Sequence, residues 1–237
     1  MIRFACLPPV RFGNKTTKTL VVLVDPDSRR RACAVRYPET TCAWRRAGYS
    51  VASQRYQPEF PMAKIDESRP FVSVNIAVLT ASDSRTLEND TSGDILVSRI
   101  EAKGHKVAAR AIVKDDFDAI VAQLNQWCDD PEIDVVISTG GTGVTGRDVT
   151  TEAHQKVYDK EIPGFGELFR WLSFAKIGTS TVQSRATAGV ARGTYMFALP
   201  GSNGACKDAW DDILFYQLDI RHRPCNFVEL MPRLTEK

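Results

Sequence analysis

The sequence predicts an α/β fold, a three-layer sandwich in which a mostly parallel central sheet lies between two layers of helices. Two observations support this prediction. From residue 71 onward, apolar strand-like segments alternate with amphipathic helical segments, and such alternation is typical of parallel sheets covered on both faces. In addition, each predicted strand leads directly into a polar or glycine-rich loop.

The first half of this region contains two predicted strands and two predicted helices. Phe71–Thr80 is apolar and β-branched, as expected of a strand buried on both faces. The cluster Asp90–Gly93 predicts the start of a helix, and Gly104 predicts its end, because glycine readily adopts left-handed backbone angles. The second strand is predicted over Lys106–Val113. The helix after it carries one core-facing stripe formed by Phe117, Ile120, Val121, Leu124, Trp127 and Cys128.

The second half continues the alternation. A third strand is predicted over Ile133–Ser138, helical segments over Thr151–Glu161 and Phe165–Ala175, and a fourth strand over Thr194–Leu199. An amphipathic helix closes the domain, with one apolar side formed by Ala209, Ile213, Leu214 and Leu218.

Residues 1 to 61 differ from the rest of the chain. They contain 11 Lys and Arg against four Asp and Glu, whereas residues 62 to 237 contain 20 against 25. Prolines interrupt this segment, so we interpret it as a basic leader outside a domain formed by residues 62–237. Four explanations stay open: a nucleic-acid patch, an organelle transit peptide, a disordered arm, or sequence upstream of a true start at Met62. The last two are favoured.

Composition narrows the class of protein. The chain is 43% hydrophobic and 25% charged, as is ordinary for a globular protein. No apolar stretch approaches the ~20 residues of a membrane span, and a net charge of +2 gives no argument for nucleic acid. None of the six cysteines forms a C-x-x-C pair or has zinc-finger spacing with a histidine. We therefore expect a reduced cytoplasmic protein with neither a membrane nor a nucleic-acid partner.

Every predicted strand ends in a loop that carries chemically useful residues. The four loops are Thr80–Arg85, Val113–Asp116, Thr139–Gly143 with its continuation to Asp148, and Pro200–Ser202. In open parallel sheets, ligands bind in the crevice at the carboxyl ends of the strands. The sequence therefore predicts a site at this edge, with an anion-binding part beside an acidic part.

The anion-binding part rests on glycines and hydroxyls. Glycines in Gly140–Gly143 let backbone N–H groups approach an oxyanion, and the Thr142 and Ser202 hydroxyls can donate to it. A helix starting at Asp90–Gly93 would add amide donors. The alternative is that Gly140–Gly143 forms only a tight turn. The loop matches neither a P-loop nor the dinucleotide-binding glycine pattern.

The acidic part consists of Asp115 and Asp148. Carboxylates are the ligands that Mg²⁺ prefers, together with water and substrate phosphates. Two other roles stay open: Asp115 or Asp116 could cap the helix that follows, and Arg147 with Asp148 could form a surface ion pair worth under ~1 kcal/mol. The convergence of four loops on one edge favours a site.

These motifs also carry a family resemblance. The run from Gly140 to Thr150, with the sequence GGTGVTGRDVT, resembles the signature of the MoaB/MogA family of molybdenum cofactor biosynthesis proteins. Asp90–Gly93, Gly164–Arg170 and Ser184–Ala186 resemble further motifs of that family, and the tail from Pro200 to Phe227 is similar to MoaB in particular. The resemblance covers about residues 70 to 234.

The resemblance implies a molybdopterin-binding MogA-like fold and adenylylation of molybdopterin by Mg-ATP with release of pyrophosphate. Asp115 and Asp148 would be catalytic by holding Mg²⁺. The pterin and phosphate pocket would be lined by Ser82, Asp83, Ser92, Gly93, Gly140, Gly141, Thr142, Gly143, Pro200, Gly201 and Ser202. Two alternatives stay open: a paralogue that binds molybdopterin without catalysis, and an assembly scaffold.

The resemblance also implies partners and shows two departures. Partners would be molybdopterin, ATP, other molybdenum cofactor biosynthesis proteins and further copies of the chain in a homotrimer or homohexamer. The segment Gly164–Gly178 is apolar around nearly its whole helix, so we expect it to contribute a contact surface between copies. Many relatives have proline where this chain has Thr151 and Asn203, and the second change is expected to loosen the pterin loop.

Overall fold

The structure is a computed structural model that describes residues 4–5, 20–23, 33–36 and 64–236. The chain divides into two units, Met1–Glu59 and Phe60–Lys237. In the first unit, three short strands form an antiparallel sheet: β1 (Phe4–Ala5), β2 (Leu20–Leu23) and β3 (Cys33–Arg36). The predicted domain start at Met62 lies outside the described residues, as does most of the leader, so both interpretations stay predictions.

The second unit is built on a six-stranded sheet. Its strands are β5 (Asn75–Ala81), β6 (Lys106–Val113), β7 (Val135–Thr139), β8 (Lys160–Glu161), β9 (Thr187–Ala191) and β10 (Thr194–Leu199). They lie in the order β6-β5-β7-β10-β9-β8. The first four strands in this order are parallel, whereas β9 is antiparallel to β10, and β8 to β9. The predicted mostly parallel sheet is confirmed.

Helices cover the sheet and connect its strands. They are α1 (Thr91–Lys103), α2 (Phe117–Cys128), α3 (Thr150–Val157), α4 (Pro163–Ile177), α5 (Asn203–Ala209), α6 (Phe215–Gln217) and α7 (Phe227–Leu230). A π-helical turn, Trp210–Leu214, joins α5 to α6, and 3₁₀ turns follow α4 and α7. Near the C-terminus, β11 (His222–Arg223) pairs with β4 (Lys64–Ile65).

Two hydrophobic cores, one on each face of the sheet, establish the three layers. The first packs residues of α1, α4 and α5 against one face, and the second packs residues of α2 and α3 against the other. The predicted stripe of α2 faces the second core, where Ile120, Leu124, Trp127 and Cys128 are buried and Phe117 and Val121 pack beside them. The predicted apolar side of the closing helix is buried as well.

The caps predicted for the first helix are confirmed. The Asp90 carboxylate accepts a hydrogen bond from the Gly93 N–H, and Gly104 ends α1 with φ of 95°. At α2 the capping residue is Asp116, whose side chain accepts from the Ala119 N–H at 2.9 Å. Asp115 is therefore free of the capping role that the sequence left open for it.

Strand β5 begins at Asn75 rather than at the predicted Phe71. Its partner β6 begins at Lys106, which pairs with Asn75, so the residues before Asn75 have no strand beside them. The Val74 N–H instead donates to His105 Nδ1 at 3.2 Å, and Val72 is 41% exposed. From Ile76 onward the predicted burial on both faces is confirmed.

The prediction of one helix over Thr151–Glu161 is wrong at its end, because α3 stops at Val157 and Lys160–Glu161 belongs to β8. Strand β9 was also missed, since its sequence TAGVA has mostly small side chains. It joins β10 through a two-residue turn, in which Arg192 has φ of 51° and Gly193 has φ of 93°. Positive φ at both residues is what a tight hairpin requires.

Within the described part of the chain, no helix combines the length and apolar character needed to cross a membrane. The same residues contain no group of three or more His, Cys, Asp or Glu side chains placed so that they could hold a metal ion. Cys128 is buried, as predicted, and burial raises the pKa of its thiol to about 11.

Two buried histidines make the fold sensitive to mild acid. His154 bonds Ser138 at 2.8 Å and is fully buried, which lowers its pKa to about 3. Burial, assisted by the Lys103 charge, lowers the pKa of His105 to about 4. Below pH ~6.5 the histidines of the unfolded chain bind protons, whereas the buried histidines of the folded protein stay neutral. The free energy of unfolding therefore has its full value above that pH and declines below it.

When the pH falls from 7.5 to 5, the free energy of unfolding should decrease by about 2 kcal/mol for each of these two histidines. Urea unfolding at several pH values within this window measures the effect. His154→Gln keeps a polar group beside Ser138 and should reduce the slope by about half. A flat profile for the natural sequence would contradict the burial of these rings in their neutral form.

Candidate functional site

The carboxyl ends of the four parallel strands meet at one edge of the sheet, as predicted. The Ser82 N–H, just after β5, donates to the Val113 carbonyl at the end of β6 at 2.8 Å. The Gly140 N–H, just after β7, donates to the Leu199 carbonyl at the end of β10 at 3.1 Å. These two bonds join the loops in two pairs, and β5 pairs with β7, so all four loops lie at one edge.

Gly140 occupies the most crowded backbone position of this site. Its φ is 98°, and a Cβ atom there would lie 2.3 Å from the Ala81 carbonyl oxygen. On the other side, a Cβ on Gly201 would lie 3.1 Å from the Gly140 Cα. Glycine is required at Gly140 both for the left-handed conformation and for the close approach of the three loops.

The next glycines lie against the two predicted carboxylates. A Cβ on Gly141 would be 2.4 Å from Thr150 Oγ1 and 3.1 Å from Asp115 Oδ1. A Cβ on Gly143 would be 2.8 Å from Asp148 Oδ2. The structure thus brings Asp115 and Asp148 to the same glycine-rich loop.

The Asp115 carboxylate has one oxygen whose hydrogen-bonding capacity is unsatisfied. This oxygen, Oδ1, is buried and has no hydrogen-bond partner among the described residues. Burial raises the pKa of this carboxyl group, and the negative charge of Asp148 raises it further. An unsatisfied buried acceptor costs about 1–3 kcal/mol, and the first shell of a cation would remove that cost.

The Asp148 carboxylate, in contrast to that of Asp115, is stabilised in its ionised form. Its Oδ2 atom accepts hydrogen bonds from the Thr145 hydroxyl at 2.6 Å and from the Thr145 N–H at 2.8 Å. These bonds, led by the one from the hydroxyl, lower the pKa of Asp148, and the Arg185 charge contributes. Asp148 therefore stays ionised beside a carboxyl group that resists ionisation.

Arg185 holds the glycine-rich loop from outside. Its side chain donates to the Gly143 carbonyl at 2.6 Å, to the Asp148 carbonyl at 2.7 Å and to the Glu152 carboxylate. Its own N–H donates to the Thr142 carbonyl at 3.1 Å. The sequence flagged Arg185 only as part of a family motif, because a contact between segments so far apart leaves no local pattern.

Arg147 and Asp83 form an ion pair across the site, joining the loop after β5 to the loop after β7. The surface pair between Arg147 and Asp148 that the sequence left open is therefore not formed. Ser82 lies beside Asp83, and its hydroxyl accepts from the N–H groups of Ser84 and Arg85 at 3.2 Å.

Ser92 and Gly93 lie at the buried start of α1 and bond Asp90. The Ser92 hydroxyl donates to Asp90 at 3.1 Å, and the Gly93 N–H does so at 3.0 Å. Asp90 also accepts from Thr80 at 2.7 Å and from Arg110 at 3.0 Å. Burial opposes the ionisation of Asp90, but these bonds outweigh it and lower its pKa. The Gly93 N–H is thus already bonded to Asp90. Of the amide donors that this helix start was predicted to offer to an anion, one is therefore not available.

The loop after β10 is tied to its neighbours. The Thr139 hydroxyl donates to the Pro200 carbonyl at 3.2 Å, and the Ser202 hydroxyl caps α5 by accepting from the Ala205 N–H. Asn203, the departure that was expected to loosen the pterin loop, accepts from the Thr91 hydroxyl at 3.1 Å. At the other departure, the Thr151 hydroxyl donates to the Arg185 carbonyl at 3.0 Å.

A groove of about 430 Å³ opens beside these loops. Its lining combines the loop after β5 with the end of β6, and its charged residues are Asp83, Arg85, Arg110 and Lys114. Arg110 is already paired with Asp90 and Asp94, so Arg85 and Lys114 are the basic residues that the groove offers to a ligand with negative charge.

The residues at this site fit a magnesium ion that takes few of its ligands from the protein and the others from water and phosphate oxygens. Mg²⁺ takes one or two protein carboxylates and completes its shell with water and phosphate oxygens. Asp115 offers an unsatisfied oxygen, and Asp148 is ionised with Oδ1 outside its bonds to Thr145. Two carboxylates, rather than a larger cluster, are what such a site needs.

The fold and the site define an α/β protein with two carboxylates beside a glycine-rich loop, at the ligand-binding edge of a parallel sheet. Residues 77–220 match the family described as "Probable molybdopterin binding domain". The chain belongs to this family, and its relatives place it among the MoaB/MogA proteins of molybdenum cofactor biosynthesis, as its motifs predicted.

Individual relatives agree with this placement. The chain is 51% identical over 160 residues to molybdenum cofactor biosynthesis protein B of Escherichia coli K12. The aligned residues make up 68% of this chain and 94% of the relative. A crystal structure of a molybdenum cofactor biosynthesis protein B matches with a TM-score of 0.62 and 41% identity, covering 63% of this chain and 94% of the other. The tungsten cofactor synthesizing protein MoaB of Pyrococcus furiosus matches with a TM-score of 0.54 and 36% identity, over 60% of this chain and 91% of the other.

Proposed function

We propose that this protein binds molybdopterin and adenylylates it with Mg-ATP. A terminal phosphate oxygen of the pterin attacks the α-phosphorus of ATP, forming a P–O bond, while the bond to the departing pyrophosphate breaks. Phosphoryl and nucleotidyl transfer need alignment and neutralisation of charge more than a covalent nucleophile. The site offers backbone amides, two carboxylates and nearby arginines for these tasks.

The observation that carries the proposal is the unsatisfied Oδ1 atom of Asp115, buried beside an ionised Asp148. Two carboxylates close enough to raise a pKa by repulsion are unfavourable without a cation between them. Asp115 and Asp148 would hold Mg²⁺, which when bound offsets negative charge on the phosphates.

The chain's own residues would orient the two phosphate groups. Glycine at positions 140 and 141 lets this loop pack closely against Ala81 and Thr150, which sets the backbone at the strand end where the phosphates would bind. Arg185 fixes the carbonyls on either side of Asp148, so that its carboxylate keeps one orientation. The pair Asp83–Arg147 lies across the entrance, with Arg147 available to a phosphate once Asp83 releases it.

One observation favours a second candidate, binding of molybdopterin without catalysis. Asp148 Oδ2 already accepts two hydrogen bonds from Thr145, which close the turn of the loop. A residue kept for this structural bond would persist in a protein that only binds the pterin. An assay of the purified protein with molybdopterin, ATP and Mg²⁺ separates the candidates.

Adenylylated molybdopterin and pyrophosphate should form in equal amounts, and chelation of Mg²⁺ by EDTA should stop both. Pterin binding without either product would establish the second candidate instead. The reaction draws on soluble substrates, so we propose that the protein works in the cytoplasm with other molybdenum cofactor biosynthesis proteins.

We further propose that copies of the chain associate through α4. Phe165 and Phe169 of this helix are buried in the core, whereas Leu168, Phe174 and Ile177 are 41%, 55% and 57% exposed. Large apolar side chains left exposed along one helix favour contact with another protein surface. The sequence predicted an apolar surplus in this segment, to which Phe169 adds no contact residue because it is buried in the core.

Light scattering of the full chain should return the mass of a trimer or a larger assembly. Phe174→Glu should lower that mass, because a charge on the buried face of a contact is costly to desolvate. Val72→Glu is the matched control, since Val72 is 41% exposed on another part of the surface. A natural sequence that is monomeric at micromolar concentration would rule out the proposal.

A further inference from the structure

A second oxygen lies beside Asp115 in the same unsatisfied state. Thr150, the first residue of α3, is fully buried, and within the described residues its Oγ1 atom has no hydrogen-bond partner. The Thr142 hydroxyl, from the glycine-rich loop, is buried and unpaired in the same way. Three oxygens around one loop therefore lack partners, whereas buried polar groups in native proteins are nearly always bonded.

The backbone explains why Thr150 points here. The Thr150 N–H donates to the Gly141 carbonyl at 3.0 Å, which fixes the start of α3 against the loop. A Cβ on Gly141 would lie 2.4 Å from Thr150 Oγ1 and 3.1 Å from Asp115 Oδ1. Both oxygens thus lie near the point that a side chain on Gly141 would occupy, yet neither has a hydrogen-bond partner among the described residues.

We propose that the Thr150 hydroxyl is a third protein ligand of the Mg²⁺ site, beside Asp115. This inference deepens the proposed function, on which it rests for the identity of the cation. A threonine oxygen is a hard, neutral donor of the kind that Mg²⁺ accepts, and a hydroxyl serves this purpose in other phosphoryl-transfer sites.

The proposal also accounts for the charge balance. Thr150 adds coordination without adding negative charge, in a place where the carboxylates of Asp115 and Asp148 already lie against one loop and repel each other. A third carboxylate would increase this repulsion, whereas a hydroxyl does not. Burial keeps Thr150 from competing water, so its oxygen is available to the ion rather than to solvent.

The test is direct binding of Mn²⁺, a spectroscopic substitute for Mg²⁺, to the full chain without nucleotide or pterin. Electron paramagnetic resonance counts free Mn²⁺ during a titration and so reports affinity independently of activity. Thr150→Val is nearly isosteric but removes the oxygen, and we expect it to weaken binding at least ~10-fold. Thr150→Ser keeps the oxygen and should stay within about threefold of the natural sequence.

Thr194→Val is the matched control, because Thr194 is a buried threonine at the opposite end of β10. If Thr150→Val does not fold, Thr150→Ala serves in its place, with a melting curve to confirm folding. Natural sequence and Thr150→Val with equal affinity would overturn the proposal and assign the space to a trapped water. So would the lack of any Mn²⁺ binding at millimolar concentration. Failure of adenylylation with intact, Thr150-dependent Mn²⁺ binding would instead reject only the proposed function.

Discussion

Asp115→Asn and Asp148→Asn are each expected to lower the rate of molybdopterin adenylylation at least ~100-fold, which corresponds to about 2.7 kcal/mol or more of transition-state stabilisation. Each change removes one negative charge from the proposed Mg²⁺ site and leaves the shape of the side chain intact. The rate of product formation in the assay with Mg-ATP measures the effect, and pterin binding should change less.

The fold should survive both substitutions. Asp115 Oδ1 has no hydrogen bond to lose within the described structure, and an amide oxygen at position 148 can still accept both bonds from Thr145. Asp116→Asn is the matched control, because it removes the same charge one residue away and asparagine caps helices as well as aspartate does. Full activity in both site variants would refute the role assigned to the carboxylates.

Gly140→Ala is expected to lower the free energy of unfolding by about 3 kcal/mol and to weaken pterin binding at the same time. The new methyl group would lie 2.3 Å from the Ala81 carbonyl oxygen, on a backbone whose φ of 98° already disfavours alanine. Ala81 ends β5, and Gly140 follows β7. If the methyl group pushes these two strands apart, the loops that follow them also move, so the substitution changes the site as well. Urea unfolding and a pterin titration measure the two effects.

Gly146→Ala is the matched control in the same loop. A Cβ atom on Gly146 would meet nothing within 4 Å, and its backbone is not in the left-handed region. It should therefore change stability by less than about 1 kcal/mol. Equal stability of the two variants would mean that the loop adjusts freely, contrary to the close approach at Gly140.

The layered fold and the position of the site were predictable because they depend on local patterns. The stripe of α2, the capping pair of Asp90 and Gly104, and the apolar strand before Thr80 each have a period or a chemistry visible over a few residues. The rule that ligands bind at the carboxyl ends of parallel strands then placed Asp115 and the glycine-rich loop together.

The parts that sequence did not reveal depend on contacts between distant segments. The edge strand β8 exists only because β9 lies beside it, and its two residues have no pattern of their own. Arg185 reaches across the sheet edge to carbonyls, which carry no side-chain signature. Similarly, the buried oxygen of Thr150 could not be recognised as unsatisfied until its neighbours were in place.

The bonds that Arg185 makes have a kinetic consequence. Since they hold the glycine-rich loop by backbone carbonyls, the loop loses its conformational freedom when the protein folds and not when a ligand arrives. A pterin phosphate should therefore associate in one step, at a rate set by diffusion and by the charge of the entrance, without a slow closing phase. Raising the salt concentration should slow that single step, because screening weakens the attraction of the anion to Arg85 and Lys114 at the groove.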